Sequence, residues 1–302
     1  MPAIAAFNHY QNLRHRLPVS PLCNHQPRHI PDIMAVAEHY DTFFFDAFGV
    51  LNVGQQAIPN AVDQVTKLRK LGKNVMIVSN AASYEKSVVI EKFRRFGFDF
   101  SGDEIVTSRD TLLAGLHEYP DNMHWGVVAS EEGQSDLEAL GLNITFQDRP
   151  GFHDADGFLF LSSIAWDDQR QKAFVEALHH RPRPILLGNP DLIAPMGGHS
   201  STEPGSYVLL LEDHLFDHAK VFGKPYHSIY DIAAKRLAKL GKPLNHARTL
   251  MLGDTLHTDI LGGNAYGIAT GLVTDHGFFR GLDPQPYIDE SAIVPDFILP
   301  QL

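Results

Sequence analysis

The pattern of apolar and polar positions changes near residue 31. Residues 1 to about 30 mix His, Pro, Asn and Arg with no sustained period, which predicts a tail or a surface wrap. From there on, apolar residues fall into short runs and helical stripes. Ile33, Met34, Val36 and Ala37 predict a short helix. Phe43, Phe44 and Phe45 are consecutive aromatics, as in a strand buried on both faces. Pro59 suits a first helical position. Ala61, Val62, Val65, Leu68 and Leu71 keep helical spacing, and Gly72 ends it. Residues 75 to 78 predict a second strand, which ends in Ser79-Asn80. Val89, Ile90, Phe93 and Phe96 predict the inner face of a helix stopped by Gly97. Strand, helix, strand and helix in this order predict a right-handed parallel α/β unit.

A second α/β unit is expected from about 105 to 187. Its predicted strands are 125 to 129, 157 to 161 and 185 to 187, and its predicted helices are 110 to 116 and 170 to 178. Residues 188 to 191 read as a turn and 197 to 200 as a loop. Residues 208 to 211 fit a strand or a buried helix equally well. Ile229, Ile232, Ala233, Leu237 and Leu240 share one helical face, ended by Gly241. A strand at 249 to 252, a helix at 260 to 265 and a strand at 270 to 273 follow. There is no internal repeat.

Composition narrows the function classes. The 302 residues carry 25 basic and 36 acidic side chains, a net charge of −11. That argues against a general nucleic-acid binder, although a local basic site can still hold one phosphate. The 17 His residues make the surface charge pH-dependent. His9, His15, His25 and His29 match no common metal-site spacing and read as solvated. Cys23 is the single cysteine, so no intramolecular disulfide forms. No run approaches the roughly 18 apolar residues of a membrane span. No charged start precedes an apolar core, so the expectation is a cytoplasmic protein with no membrane partner.

Several predicted strand ends carry polar residues: Asp46, then Ser79-Asn80, then Asp254 followed by Asp259, with Lys224 nearby. In a parallel sheet these ends share one edge, where ligands bind. Each has an ordinary alternative: a turn for Asp46 or Asp254, a helix cap for Ser79, an exposed side chain for Lys224. Together they form a set. Clustered carboxylates repel one another without a cation, and an oxygen-only ligand set favours Mg²⁺. A hydroxyl and a lysine would hold the remaining charge of a phosphate. Nucleophile, metal and cationic clamp are what phosphoryl transfer needs.

On these residues the chain resembles the haloacid dehalogenase-like superfamily, over almost everything from residue 30 onward. Asp46-Ala47-Phe48-Gly49-Val50 stands at the family's Asp-x-Asp-Gly motif. Ser79-Asn80, Gly223-Lys224-Pro225, and Gly253-Asp254 with Asp259 stand at its Ser/Thr, lysine and acidic-pair positions. Ile58-Pro59-Asn60-Ala61-Val62 and Gly188-Asn189-Pro190-Asp191-Leu192 resemble the class IIA branch, which includes NagD-like sugar and nucleotide phosphatases and 4-nitrophenylphosphatases. The resemblance implies an α/β fold, with a Rossmann-like parallel-sheet core (31 to 104 and 188 to 302) and an inserted α/β cap (105 to 187). It also implies catalytic Asp46, Lys224 and Asp259, with Asp46 attacking phosphorus to form an aspartyl-phosphate. Ser79, Asn80 and Lys224 would bind substrate. Asp46, the Phe48 carbonyl and Asp254 would hold Mg²⁺, and Asp259 would support the metal shell or Lys224. A cap that moves and a homodimer paired through caps are further expectations.

The departure is Phe48, where active family phosphatases place a second aspartate that protonates the leaving group. Three outcomes stay open: a slow magnesium-dependent phosphatase of a sugar, nucleotide or aryl phosphate, one limited to good leaving groups, or a phosphate-ligand binder that kept its site. A dehalogenase is a minor alternative, because those enzymes also have an aromatic there. Asp254 and Asp259 favour magnesium and phosphate over carbon–halogen cleavage.

Overall fold

In a computed structural model, which describes residues 1–19, 21, 25–197 and 199–302, the three phenylalanines lie in a completely buried strand, Thr42–Phe45. Successive side chains of a strand point to opposite faces. Phe44 packs with Ile229, Tyr230, Ala233 and Leu237 of the helix His227–Lys239. Phe43 and Phe45 join Val65 and Leu68 of the helix Ala61–Lys70 and Val89 and Phe93 of the helix Lys86–Arg95. Full burial of one such ring is worth roughly 1.5–3 kcal/mol, so covering both faces anchors the core on this strand.

Among the described residues the strand belongs to a seven-stranded sheet. The order is Arg28–His29, Phe297–Leu299, Ala269–Val273, Thr249–Gly253, Thr42–Phe45, Asn74–Ser79 and Ile105–Thr107. Every neighbouring pair is parallel. From Thr42–Phe45 the chain winds outward through Asn74–Ser79 to one edge, then returns to Thr249–Gly253 and winds to the other. The order therefore reverses beside Phe45, and such a reversal opens a crevice at the carboxyl ends of the strands. A second parallel sheet has the order Ala219–Val221, Ile185–Leu187, Gly157–Phe160, His124–Val128 and Asn143–Phe146. The fold is α/β, a parallel core sheet with an inserted second parallel sheet as cap.

The expected boundaries need correction. Ile105–Thr107 pairs with Asn74–Ser79 in the core sheet, and the cap sheet extends past residue 187 to Ala219–Val221. A short apolar run reports burial but not which sheet receives it. The open segment at 208 to 211 follows a single helical turn, Gly205–Val208. The Cys23 and Gly198 positions lie outside the described residues.

Of the expected tail or surface wrap, the segment forms the wrap, packed onto the fold. Ala3–Asn12 is a helix that buries Ala6, Phe7 and Tyr10. Tyr10 stacks on His257 with ring centroids 4.9 Å apart, and its hydroxyl accepts from the Leu192 N–H at 2.9 Å. His257 Nε2 lies 2.8 Å from Gln11 Oε1. Arg28–His29 adds the edge strand beside Phe297–Leu299. Buried Ala6, Tyr10 and Leu13 do keep helical spacing, but the intervening polar residues dilute it. The four N-terminal histidines are in no metal-capable group among the described residues.

Burial pushes the His257 imidazole down to about 3, with Arg14 adding in the same direction. The folded protein thus holds His257 neutral while the unfolded chain protonates it near its ordinary value. Between about 6.5 and 3 the unfolded state binds the extra proton, so this group's stabilisation is present above about 6.5 and is lost as pH falls, at up to about 1.4 kcal/mol per pH unit. The expected result is a melting temperature that falls more steeply from pH 6.5 to 4 in the wild type than in His257→Phe. Parallel curves would show that His257 does not carry this linkage.

Candidate active site

Asp46 follows Phe45, and Asp254 follows the adjoining strand Thr249–Gly253, whose Leu252 is in register with Phe45. The reversal of strand order thus sets two acids side by side at the crevice. Asp259 joins them from a π-helical turn, Leu256–Ile260, that leads into the helix Leu261–Tyr266. Such turns are frequent at functional sites. Asp46, Asp254 and Asp259 each bring one carboxylate oxygen within 4.8 Å of the others. Lys224 Nζ lies 2.5 Å from Asp46 Oδ1 and 2.7 Å from Asp259 Oδ1.

The remaining contacts separate the three acids. Asp259 Oδ2 accepts from the Asp254 and Thr255 N–H groups at 3.1 and 3.0 Å, so both its oxygens are engaged. Asp254 accepts from the Phe278 N–H at 2.7 Å and the Thr255 hydroxyl at 2.9 Å. Backbone approaches this carboxylate closely. A Cβ on Gly49 (φ +81°) would lie 2.3 Å from Asp254 Oδ2, and one on Gly277 2.0 Å from it. Glycine is required at both places by contact, and at Gly49 also by conformation.

Burial raises the carboxyl pKa values of Asp254 and Asp259, and repulsion adds to this, from Asp259 and Asp46 at Asp254 and from Asp46 at Asp259, where Lys224 opposes it. Burial alone would depress Lys224, but Asp259, Asp46 and Asp191 outweigh it and hold the ammonium above the ordinary lysine range. One ammonium against three buried carboxylates leaves an excess of negative charge. That excess and the all-oxygen donor set fit a small divalent cation.

Ser79 is buried at its strand end, and its Oγ accepts from the Ala81 N–H at 3.3 Å. The Asn80 side chain meets the lysine loop. Its Oδ1 accepts from the Lys224 N–H at 2.7 Å, and its Nδ2 donates to the Lys224 carbonyl at 3.0 Å and to Asp191 Oδ1 at 2.8 Å. The side chain holds the lysine loop. Asp191 is a site residue the strand-end reading passed over. It follows the strand Ile185–Leu187 by a short turn, and the rule applied to Asp46 would have found it. Burial raises its pKa well above the ordinary aspartate value, Lys224 opposing and Asp46 adding.

The Phe48 ring faces the same cavity as Asp46, and Lys92 Nζ sits over it, 4.2 Å from the centroid. Burial lowers Lys92 to about 8, partly offset by Asp46. Nothing in the sequence marked Lys92, which lies between inward residues of a regular helix.

Two family models match the chain: haloacid dehalogenase-like hydrolase over residues 43–143 and HAD-hydrolase-like over residues 221–302. A glycerol-3-phosphate phosphatase of Gallus gallus is 29% identical, over 87% of this chain and 90% of the relative. Among solved structures, a possible sugar phosphatase of Cytophaga hutchinsonii superposes with a TM-score of 0.79 at 23% identity, over 91% of this chain and 98% of that one. The glycerol phosphate phosphatase of Mycobacterium tuberculosis in complex with magnesium superposes with a TM-score of 0.65 at 22% identity, over 87% and 75%. These structural likenesses concern the fold. With one family model matching from the strand that carries Asp46 and the other covering the second core segment, the chain belongs to the haloacid dehalogenase-like hydrolases.

Proposed function

We propose that this protein is a magnesium-dependent phosphatase that cleaves small phosphomonoesters by way of an aspartyl-phosphate on Asp46. The observation that carries this reading is the lysine-bridged cluster of Asp46, Asp254 and Asp259 at the reversal of strand order. Lys224 fixes one oxygen of Asp46, which aims the other at phosphorus. Attack forms the bond from Asp46 to phosphorus, and the ester oxygen departs with its electron pair. Water then attacks phosphorus and loses a proton to solvent, replacing the one that the departed oxygen took up, the bond to Asp46 breaks, and inorganic phosphate leaves. Ser79 and Lys224 hold the phosphoryl oxygens, and Asp259 holds Lys224 and the Asp254 loop. Asp46, the Phe48 carbonyl and Asp254 would ligate magnesium, which when bound neutralises charge on the phosphoryl group.

Phe48 offers no proton to the departing oxygen. Esters whose alcohol leaves as a stable anion, such as aryl phosphates, are therefore preferred over alkyl ones. The same residue favours a second reading, a phosphate-ligand binder that turns over little.

The test is turnover of an aryl phosphate with and without magnesium, alongside calorimetry of magnesium binding to the metal-free protein. The expected results are hydrolysis only with the metal and saturable binding that Asp254→Asn weakens at least tenfold. Binding of phosphate and magnesium without turnover would select the binder. No magnesium binding, with or without phosphate, would overturn the metal assignment.

A further inference from the structure

The cavity in front of Asp46 has a volume of about 510 Å³. That is far more than a phosphoryl group needs. It falls within the range of sites that enclose an organic ligand. Phe48 and Tyr84 line it from the core, and Ile164, Trp166 and Tyr207 from the cap side. Such walls suit an aromatic or apolar body attached to the phosphate.

One cation in this lining is unmatched. Lys92 also lines the cavity, and its Nζ rests on the Phe48 ring at 4.2 Å, with the Phe93 and Phe96 rings 5.5 and 5.6 Å away. Among the described residues it has no ion-pair or hydrogen-bond partner. Other cations nearby do: Lys86 of the same helix pairs with Asp110, and Arg109 with Asp136. Lys224 is already taken by Asp46 and Asp259. A partly buried ammonium seated on aromatic rings is costly until an anion meets it. The transferred phosphoryl group has Lys224 and Ser79, so the anion that Lys92 lacks belongs to the rest of the ligand.

We propose that Lys92 recognises a second anionic group, a carboxylate or similar oxyanion, carried on the aromatic or apolar body of the phosphomonoester. The Phe48 ring then has a use beyond replacing an acid: it seats the ammonium at the cavity wall. This inference rests on the phosphatase reading of Asp46 only in placing the phosphate end of the ligand.

The test compares carboxyphenyl phosphates with the isosteric carbamoylphenyl phosphates, as meta and para isomers. A charge-assisted hydrogen bond predicts a preference for the better carboxylate isomer of at least tenfold in kcat/KM. Lys92→Met should bring the carboxylate-to-amide ratio to about one, and Lys92→Arg should keep most of the preference. A binding arm uses calorimetry of carboxybenzyl- and carbamoylbenzylphosphonate with magnesium present, on the wild type and Lys92→Met. It expects the same loss of selectivity in affinity. If no ester is hydrolysed but the phosphonates bind selectively, the phosphatase reading fails and the Lys92 assignment stands. No charge preference in the wild type, or an equal fall for both members of a pair in Lys92→Met, overturns the assignment, the latter meaning that Lys92 serves the phosphoryl group or the fold.

Discussion

Asp46→Asn is expected to abolish turnover of an aryl phosphate, by on the order of 10⁴-fold or more, while the protein melts at the same or a higher temperature in the absence of magnesium. The two halves of this result have separate causes. A carboxamide oxygen is a poor nucleophile, so the covalent step is lost. The side chain keeps its shape, and its oxygen can still accept from Lys224 Nζ, which lies 2.5 Å from Asp46 Oδ1. Lys224 also retains Asp259 at 2.7 Å. Removal of one negative charge relieves repulsion that raises the pKa values of both Asp254 and Asp259. Steady-state kinetics and a thermal melt on the same preparation check both halves. Unchanged turnover would end the nucleophile assignment, and loss of the cooperative melt would mean that the carboxylate is needed for folding.

The second large effect concerns Phe48. General acid–base catalysis is typically worth about 10²–10⁴-fold, most for alkoxide leaving groups that need a proton in the transition state. From the sequence, Phe48→Asp is expected to raise turnover, most for esters with poor leaving groups, with this factor as the upper limit. The structure lowers that figure, because Lys92 Nζ sits over the ring the aspartate would replace. A carboxylate there would pair with the ammonium and stay ionised, which is the wrong form for a general acid. The single variant is therefore expected to gain less than about tenfold on an alkyl ester, and Phe48→Asp with Lys92→Met to gain about 10²-fold. Both should narrow the aryl-over-alkyl preference, the double variant more. The new anion beside Asp46 also opposes phosphate binding, so kcat and KM have to be separated. If the wild type already hydrolyses an alkyl ester as fast as an aryl one, another residue supplies the proton and Phe48 is not a catalytic loss.

Much of the site was legible because strands and helices advertise themselves by period. The aromatic run at 43 to 45, the stripe from Ala61 to Leu71 and the face from Ile229 to Leu240 each became the element expected, within a residue or two at the ends. Once those elements were ordered as a parallel α/β unit, the acids and the serine at their ends had to share an edge. Asp46, Ser79, Lys224, Asp254 and Asp259 were named on that ground, and the fold brings the three acids and the lysine together.

What the sequence by itself determined is therefore local: where the chain is helix or strand, which faces are apolar, and which polar residues stand at strand ends. Tertiary structure alone decided what depends on a distant partner. Ile105–Thr107 joins the core sheet and Ala219–Val221 the cap sheet, because strand pairing is chosen by neighbours remote in sequence. The N-terminal helix is buried because Tyr10 meets His257 and Leu192, not because its own pattern is strongly amphipathic. The Asn80 side chain braces Lys224, 144 residues away, since an amide goes to whatever donors and acceptors surround it. Lys92 looks like any helical lysine until the fold sets it over Phe48 with no ion-pair or hydrogen-bond partner among the described residues. A period reports which side of an element faces inward, but the electrostatic worth of a side chain is fixed by what stands opposite, and only the folded chain supplies that.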